Sequence, residues 1–273
     1  MDIYQKTKKF YQSFPGEKRI IGKSVWGRNL YAVKVGGGSP VGLAQYAIHG
    51  REFITAELAF LHAKVSVFQG SLWVLPLVNP DGALLSEKGL CAAPNEEKER
   101  LLALNGGKKD FSLWKANANG VDLNVNFPAR WGEGTKNTRL AGAENYIGEK
   151  PFSEIETRAL QSFTEQIKPD YTVSYHTKGE EIYWYFFQDE ARRLRDEKLA
   201  LVLSKATGYP LKRTEGSVGG YKDWCITKFH IPSFTIEAGL DEFCHPIRKE
   251  GLGNILTKNK DALWTLSKAF VDG

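Results

Sequence analysis

The chain reads as an α/β domain, a sheet with parallel strand pairs and helices on its faces, and three observations lead there. An apolar run from Val41 to Ile48, a helical pattern from Thr55 to Val67 and a second apolar run from Ser71 to Val78 follow one another within about forty residues, the strand–helix–strand signature of a parallel pair. Later strands each deliver a polar residue at their carboxyl ends, at His176 and at Glu237. The length of 273 residues suits one large core and is short for two, so residues 1–273 are expected to form a single domain.

The remaining elements follow in order. Ile3 to Phe14 carries Ile3, Tyr4, Phe10, Tyr11 and Phe14 on an amphipathic helix. Arg19 to Val35 reads as two strands around the turn Val25-Trp26-Gly27-Arg28-Asn29. Gly36-Gly37-Gly38 lacks the Gly-Lys-Ser/Thr that a phosphate cradle needs and reads as a turn. Asn79-Pro80-Asp81-Gly82 is a turn signal, and Leu84 to Asn119 a long, partly helical excursion. Gly120 to Trp131 crowds Asp122, Asn124 and Asn126 among apolar residues. Ser153 to Ile167 is a helix with Ser153 as N-cap and Glu156 completing a capping box. Asp170 to His176 is a strand, Ala191 to Thr207 a helix closed by Gly208, and His230 to Ala238 contains a strand. Asn254 to Val271 reads as one terminal helix.

Composition narrows the function classes. A hydrophobic share of 42% and a charged share of 25% are those of a globular enzyme, and the net charge of +5 is dispersed, which argues against nucleic acid as partner. No apolar run approaches the about 18 residues of a membrane span. No apolar segment with a cleavage site follows the basic N-terminus, so a cytoplasmic location is expected. Cys91, Cys225 and Cys244 are odd in number and far apart, as in a reducing compartment.

The chemistry lies at three strand ends. His49 and Glu52 close the first, and His176 and Glu237 close two others. Two His and one Glu with an open fourth position are the ligand set of a catalytic zinc, which lowers the pKa of its water toward roughly 7, and a further carboxylate is the usual general base. Each has an ordinary alternative: His49 a hydrogen-bonded strand-end histidine, Glu52 a carboxylate at a helix N-terminus, His176 a turn residue. Glu237 is hardest to dismiss, because a carboxylate inside Phe-Thr-Ile-Glu-Ala-Gly is excluded from an apolar strand unless it has a partner. A Cys244-His245 nucleophile pair fails because adjacent residues on an extended chain point apart.

These residues sit in a larger pattern. Ile-Gly-Lys-Ser-Val-Trp-Gly-Arg (21 to 28), His-Gly-Arg-Glu (49 to 52), Val-Asn-Pro-Asp-Gly (78 to 82), Gly-Val-Asp-Leu-Asn (120 to 124), Ser-Tyr-His (174 to 176), Gly-Gly-Tyr-Lys-Asp-Trp (219 to 224) and Phe-Thr-Ile-Glu (234 to 237) occur in that order. Together they resemble the zinc carboxypeptidases, the M14 metallopeptidases, over nearly the whole catalytic domain. The resemblance implies a three-layer α/β/α fold with a mixed, largely parallel central sheet, one zinc ion on His49, Glu52 and His176, and Glu237 as general base.

The run from Asp110 to Asn124 is similar to the bacterial branch that cuts γ-D-glutamyl to diamino acid bonds in peptidoglycan peptides. Three departures from the digestive-type pattern fit that branch. The Asn-Arg pair that grips a terminal carboxylate is Asn124-Val125 here, Glu215 replaces a common Tyr, and Lys222 stands where the digestive enzymes reach into the pocket for the terminal side chain. The expected substrate is therefore a murein tripeptide or a relative of it, with Lys222 and Arg130 on a carboxylate, Glu215 on an ammonium, and Asn124 and Tyr221 as further contacts. Lys115 and Arg130 are the candidates for stabilising the oxyanion, since the stretch Trp114 to Asn119, where the resemblance implies an Arg ahead of Gly-Val-Asp, has none. An ordinary carboxypeptidase or an N-acyl amino-acid deacylase is the competing enzymatic reading, and an idle binding module ranks last because no ligand or base is missing.

Overall fold

The computed structural model describes residues 1–64, 68–213 and 216–272. Its N-terminal helix α1 (Ile3–Ser13) is capped by Asp2, whose side chain accepts from the Gln5 N–H. The antiparallel pair β1 (Lys18–Lys23) and β2 (Asn29–Gly36) follows, then β3 (Val41–Tyr46), α2 (Thr55–His62), β4 (Ser71–Leu75), α3 (Pro80–Lys88) and α4 (Lys98–Leu104). After a long irregular stretch come α5 (Ile155–Ile167), β5 (Tyr171–His176), β6 (Glu181–Tyr183), α6 (Glu190–Thr207), β7 (Leu211–Lys212), α7 (Tyr221–Phe229), β8 (Ser233–Glu237), α8 (Lys249–Asn259) and α9 (Ala262–Asp272). Among the described residues the strands form one eight-stranded sheet in the order β1-β2-β4-β3-β5-β8-β6-β7. Its centre, β4-β3-β5-β8, is parallel, and its flanks are antiparallel at β1-β2-β4 and β8-β6.

Alternation along the strands builds the two faces. Ala44, Tyr46, Val173, Tyr175 and Ile236 pack on one side with Leu58 of α2, Leu203 of α6, Ile255 of α8 and Leu266 of α9. Leu43, Trp73 and Leu75 pack on the other with Leu160 and Phe163 of α5 and with Tyr221, Trp224 and Cys225 of α7. The result is the expected three-layer α/β/α arrangement around a mixed sheet. No helix among the described residues is long and apolar enough to cross a membrane.

Four local expectations give way. Asn79-Pro80-Asp81-Gly82 does not turn the chain loose but starts α3: the Asn79 side chain accepts from the Gly82 N–H at 2.9 Å, and Pro80 occupies the first turn. The residues that favour turns are also those that cap helices and fill their first position. The terminal helix is two, α8 and α9, because the Asn259 carbonyl accepts from His62 Nε2 at 2.9 Å instead of continuing the helical ladder. The helix expected to reach Val67 ends at His62, and residues 65–67 lie outside the described ones.

The fourth concerns the capping box at Ser153. The N-cap of α5 is Glu154, and Ser153 Oγ donates to the Glu154 carboxylate at 2.7 Å. Glu156 is fully buried, accepting from the Val25 N–H and from Asn117 Nδ2, both at 3.2 Å. Burial, with the charge of Asp81 adding to it, pushes its carboxyl up to about 8. The folded protein thus holds this proton at pH values where the unfolded chain has released it. The stability Glu156 contributes is present below the ordinary value of 4.5 and falls by about 1.4 kcal/mol per pH unit as pH rises toward 8. Glu156→Gln is expected to flatten that part of the pH profile of urea unfolding, and an unchanged slope would show that another group sets it.

Candidate metal centre and active site

Beyond β3 the chain turns through Ala47 and Ile48 into His49, then through a short 3₁₀ turn, Gly50–Glu52, that places Glu52 on the same side as His49. The turn is tightly hemmed. A Cβ at position 50 would lie 2.5 Å from the Gly82 carbonyl and 2.7 Å from that of Trp114, so only glycine lets the backbone approach. The Gly50 N–H donates to the Lys115 carbonyl at 2.9 Å, and Asn79 Nδ2 donates to the carbonyls of Ile48 and Ala116. The Val-Asn-Pro-Asp-Gly segment therefore anchors both the strand end that carries His49 and the loop that carries Lys115.

β5 runs parallel to β3 and to β8, with His176 in register with Glu237. Three strand ends thereby meet. His49 Nδ1 lies 2.8 Å from Glu52 Oε1, His176 Nδ1 3.0 Å from Glu52 Oε2, and the two Nδ1 atoms 3.1 Å from each other, all buried. This is a cluster whose donor atoms fall within 4.8 Å of one another. Two imidazole nitrogens and a carboxylate aimed at one point suit a cation, since their lone pairs would otherwise confront each other in a dry interior. The outer nitrogen of His49, Nε2, faces Asp122 Oδ1 at 3.2 Å; a proton donated there leaves the Nδ1 lone pair pointing inward.

Asp122 was legible only as part of a motif, and the structure gives it a double task. It faces His49 with one oxygen and holds Lys115 Nζ at 2.6 Å with the other. Burial alone would raise its carboxyl, but the charges of Lys115 and His49 hold it well below the usual carboxylate range. Lys115 is pressed the other way: burial disfavours its charge, yet Asp122 and Glu52 raise it above its ordinary value and keep it an ammonium. Glu237 is half-buried, and burial pushes its carboxyl up to about 7 against the pull of His176, with Glu52 pushing further upward.

Glu237 opens onto a cavity of about 540 Å³ lined also by Asn124, Lys222, Asp223, Thr235, Lys212 and Arg213. The substrate-contact expectations divide there. Asn124 is on the wall, its Oδ1 accepting from the Tyr221 N–H at 3.1 Å. Lys222 is on the wall and nearly buried, its Nζ donating to Asp223 Oδ1 at 2.6 Å and to the Tyr185 carbonyl at 3.1 Å. The Tyr221 side chain is elsewhere, packed in the core under α7 with its hydroxyl on Thr164 Oγ1, so it offers the cavity no surface. Arg130 pairs with Glu133 at 2.7 Å and rests over the Phe187 ring in a neighbouring hollow, away from the ligand cluster. Glu215 lies outside the described residues. Lys212 and Arg213 went unnoticed in the sequence because β7 is two residues long and takes its place only by pairing with β6.

Three comparisons bear on this arrangement. The sequence profile of the zinc carboxypeptidase family matches residues 3–258. The γ-D-glutamyl-L-diamino acid endopeptidase 1 of Lysinibacillus sphaericus is 33% identical over 80% of this chain, which spans 59% of that relative's length. Among solved structures, bovine thrombin-activatable fibrinolysis inhibitor superposes with a TM-score of 0.77 at 21% identity, over 100% of this chain and 97% of that one. The murein-tripeptide amidase of Escherichia coli O157 superposes with a TM-score of 0.62 at 25% identity, over 96% and 94%.

Proposed function

This chain belongs to the zinc carboxypeptidase family, and from that premise we propose that it hydrolyses the amide joining γ-D-glutamate to diaminopimelate in peptidoglycan-derived peptides. That it is a zinc metallopeptidase, with His49, Glu52 and His176 as the ligand group, rests on the family and on the cluster itself. The bond is the finer reading. The observation that carries it is the cavity beside Glu237, where Lys212, Arg213 and Lys222 line the wall together with Asp223. A cavity so charged suits a departing amino acid with ionised groups along its length, and diaminopimelate has two carboxylates and an ammonium once its other amine is in the amide. The similarity to the γ-D-glutamyl-L-diamino acid endopeptidase of Lysinibacillus sphaericus and to the murein-tripeptide amidase of Escherichia coli O157 supports the same class of substrate.

Zinc, when bound, supplies Lewis-acid polarisation of the carbonyl and of the attacking water. The chain's own residues do the rest. Glu237 takes a proton from the water as its oxygen bonds to the carbonyl carbon, then hands that proton to the amine as the carbon–nitrogen bond breaks. Lys115, charged and held by Asp122, places a positive charge toward the developing oxyanion, as a point charge without a guanidinium fork. Asp122 keeps the His49 ring in the tautomer that faces the cation.

Lys222 is the residue whose removal separates substrates. Lys222→Met, which keeps the bulk of the side chain, is expected to raise KM for L-Ala-γ-D-Glu-diaminopimelate about 10- to 100-fold and to change KM for the lysine analogue by much less. Equal changes for the two peptides would show that Lys222 does not read the distal carboxylate.

A further inference from the structure

Diaminopimelate in a γ-glutamyl peptide carries one carboxylate beside the scissile amide and another at the far end of its side chain. The family's usual grip on the near carboxylate is an Asn-Arg pair. Here Asn124 keeps its half on the cavity wall, but the other position is Val125, a buried apolar side chain that offers a carboxylate no charge. A near carboxylate in this cavity therefore needs a cation from another wall.

Among the described residues three cations line the cavity, and two are engaged. Lys222 Nζ is held by Asp223 at 2.6 Å, and Lys212 Nζ lies 3.4 Å from Glu181. Arg213 makes no ion pair among the described residues. Its guanidinium rests on the faces of Tyr185, 5.1 Å from the centroid, and Trp184, 5.8 Å away. Stacking of that kind restrains the plane of the guanidinium while leaving its N–H edge open, the state in which an arginine pays least to form a bidentate pair with a carboxylate. Position also differs: Lys222 is nearly buried, whereas Arg213 is exposed at the cavity's rim.

Resting on the substrate reading above, we infer that Arg213 supplies the guanidinium missing at position 125, gripping the carboxylate beside the scissile amide while Lys222 faces the side-chain end. The cavity then selects peptides that end at the diamino acid. In a peptide extended by a further residue, the near carboxylate is an amide and cannot pair with Arg213.

Free ligands test this apart from the bond that is cut. Dissociation constants for L-lysine, L-lysinamide and meso-diaminopimelate are measured on the zinc-loaded protein and on Arg213→Gln and Arg213→Lys. Lysine and diaminopimelate are expected to weaken alike in Arg213→Gln, by about 10- to 100-fold, with Arg213→Lys recovering part of the loss. Lysinamide, which lacks the carboxylate, is expected to change by less than about twofold and so reports any general damage to the cavity. Lysine and lysinamide weakening together, or neither weakening, would overturn the assignment. Failure of the wild type to cut γ-glutamyl peptides would instead contradict the substrate reading, while the lysine to lysinamide ratio still decides the role of Arg213.

Discussion

Glu237→Gln is expected to lower kcat by about 10²- to 10⁴-fold, the range for a positioned general base, with zinc content and fold unchanged. Glutamine matches the carboxylate in size but cannot accept the proton. Its position explains why so small a change is felt. Glu237 ends β8 in register with His176, so the proposed base and one zinc ligand are set by the same strand pairing. Because only the carboxylate acts as base, kcat/KM of the wild type rises with pH through the ionisation of this group. Burial holds that ionisation at about 7, and the charge of a bound cation moves it lower. The variant is expected to lose this acid limb. A variant that kept near-normal kcat and the same limb would remove Glu237 from the mechanism.

Lys115→Met is expected to act twice. It removes the charge proposed to face the oxyanion, at a cost of about 10²- to 10³-fold in kcat. It also strips Asp122, fully buried, of its closest cation, which costs about 3 to 5 kcal/mol of stability. The two effects are separable. Adding Asp122→Asn removes the stranded charge and should restore much of the stability measured by urea unfolding, while kcat stays low. If the double variant regained kcat as well, Lys115 would serve only as counter-charge to Asp122. Arg130→Ala is the comparison that settles the alternative oxyanion candidate, and its pairing with Glu133 outside the cavity predicts little effect on kcat.

How much of this was legible follows from the range over which each feature is determined. His49, Glu52, His176 and Glu237 were readable because strand ends in a parallel sheet converge, and three short apolar runs each end in a polar residue. Asn79 and Pro80 suggest a turn because turn and helix start share a vocabulary, and only the Gly82 N–H meeting Asn79 Oδ1 decides between them. Glu156 looked like half of a capping box because that pattern is local, while its actual partners, Val25 and Asn117, are far away in sequence. The sequence suggests Tyr221 as a substrate contact beside Lys222. In α7 successive residues face about 100° apart, so the lysine reaches the cavity while the tyrosine enters the core. Arg213 left no pattern at all, since β7 is ordered by its parallel pairing to β6.

The central claim is a bond, and mass spectrometry of the products tests it most directly. The protein, carrying one zinc per chain, is incubated with L-Ala-γ-D-Glu-diaminopimelate and, separately, with peptides ending in an ordinary C-terminal L-residue. Release of L-Ala-D-Glu and free diaminopimelate, slowed by about 10²- to 10⁴-fold in Glu237→Gln, is the predicted result. Cleavage confined to the ordinary C-terminal residue, with the γ-glutamyl amide intact, would contradict it.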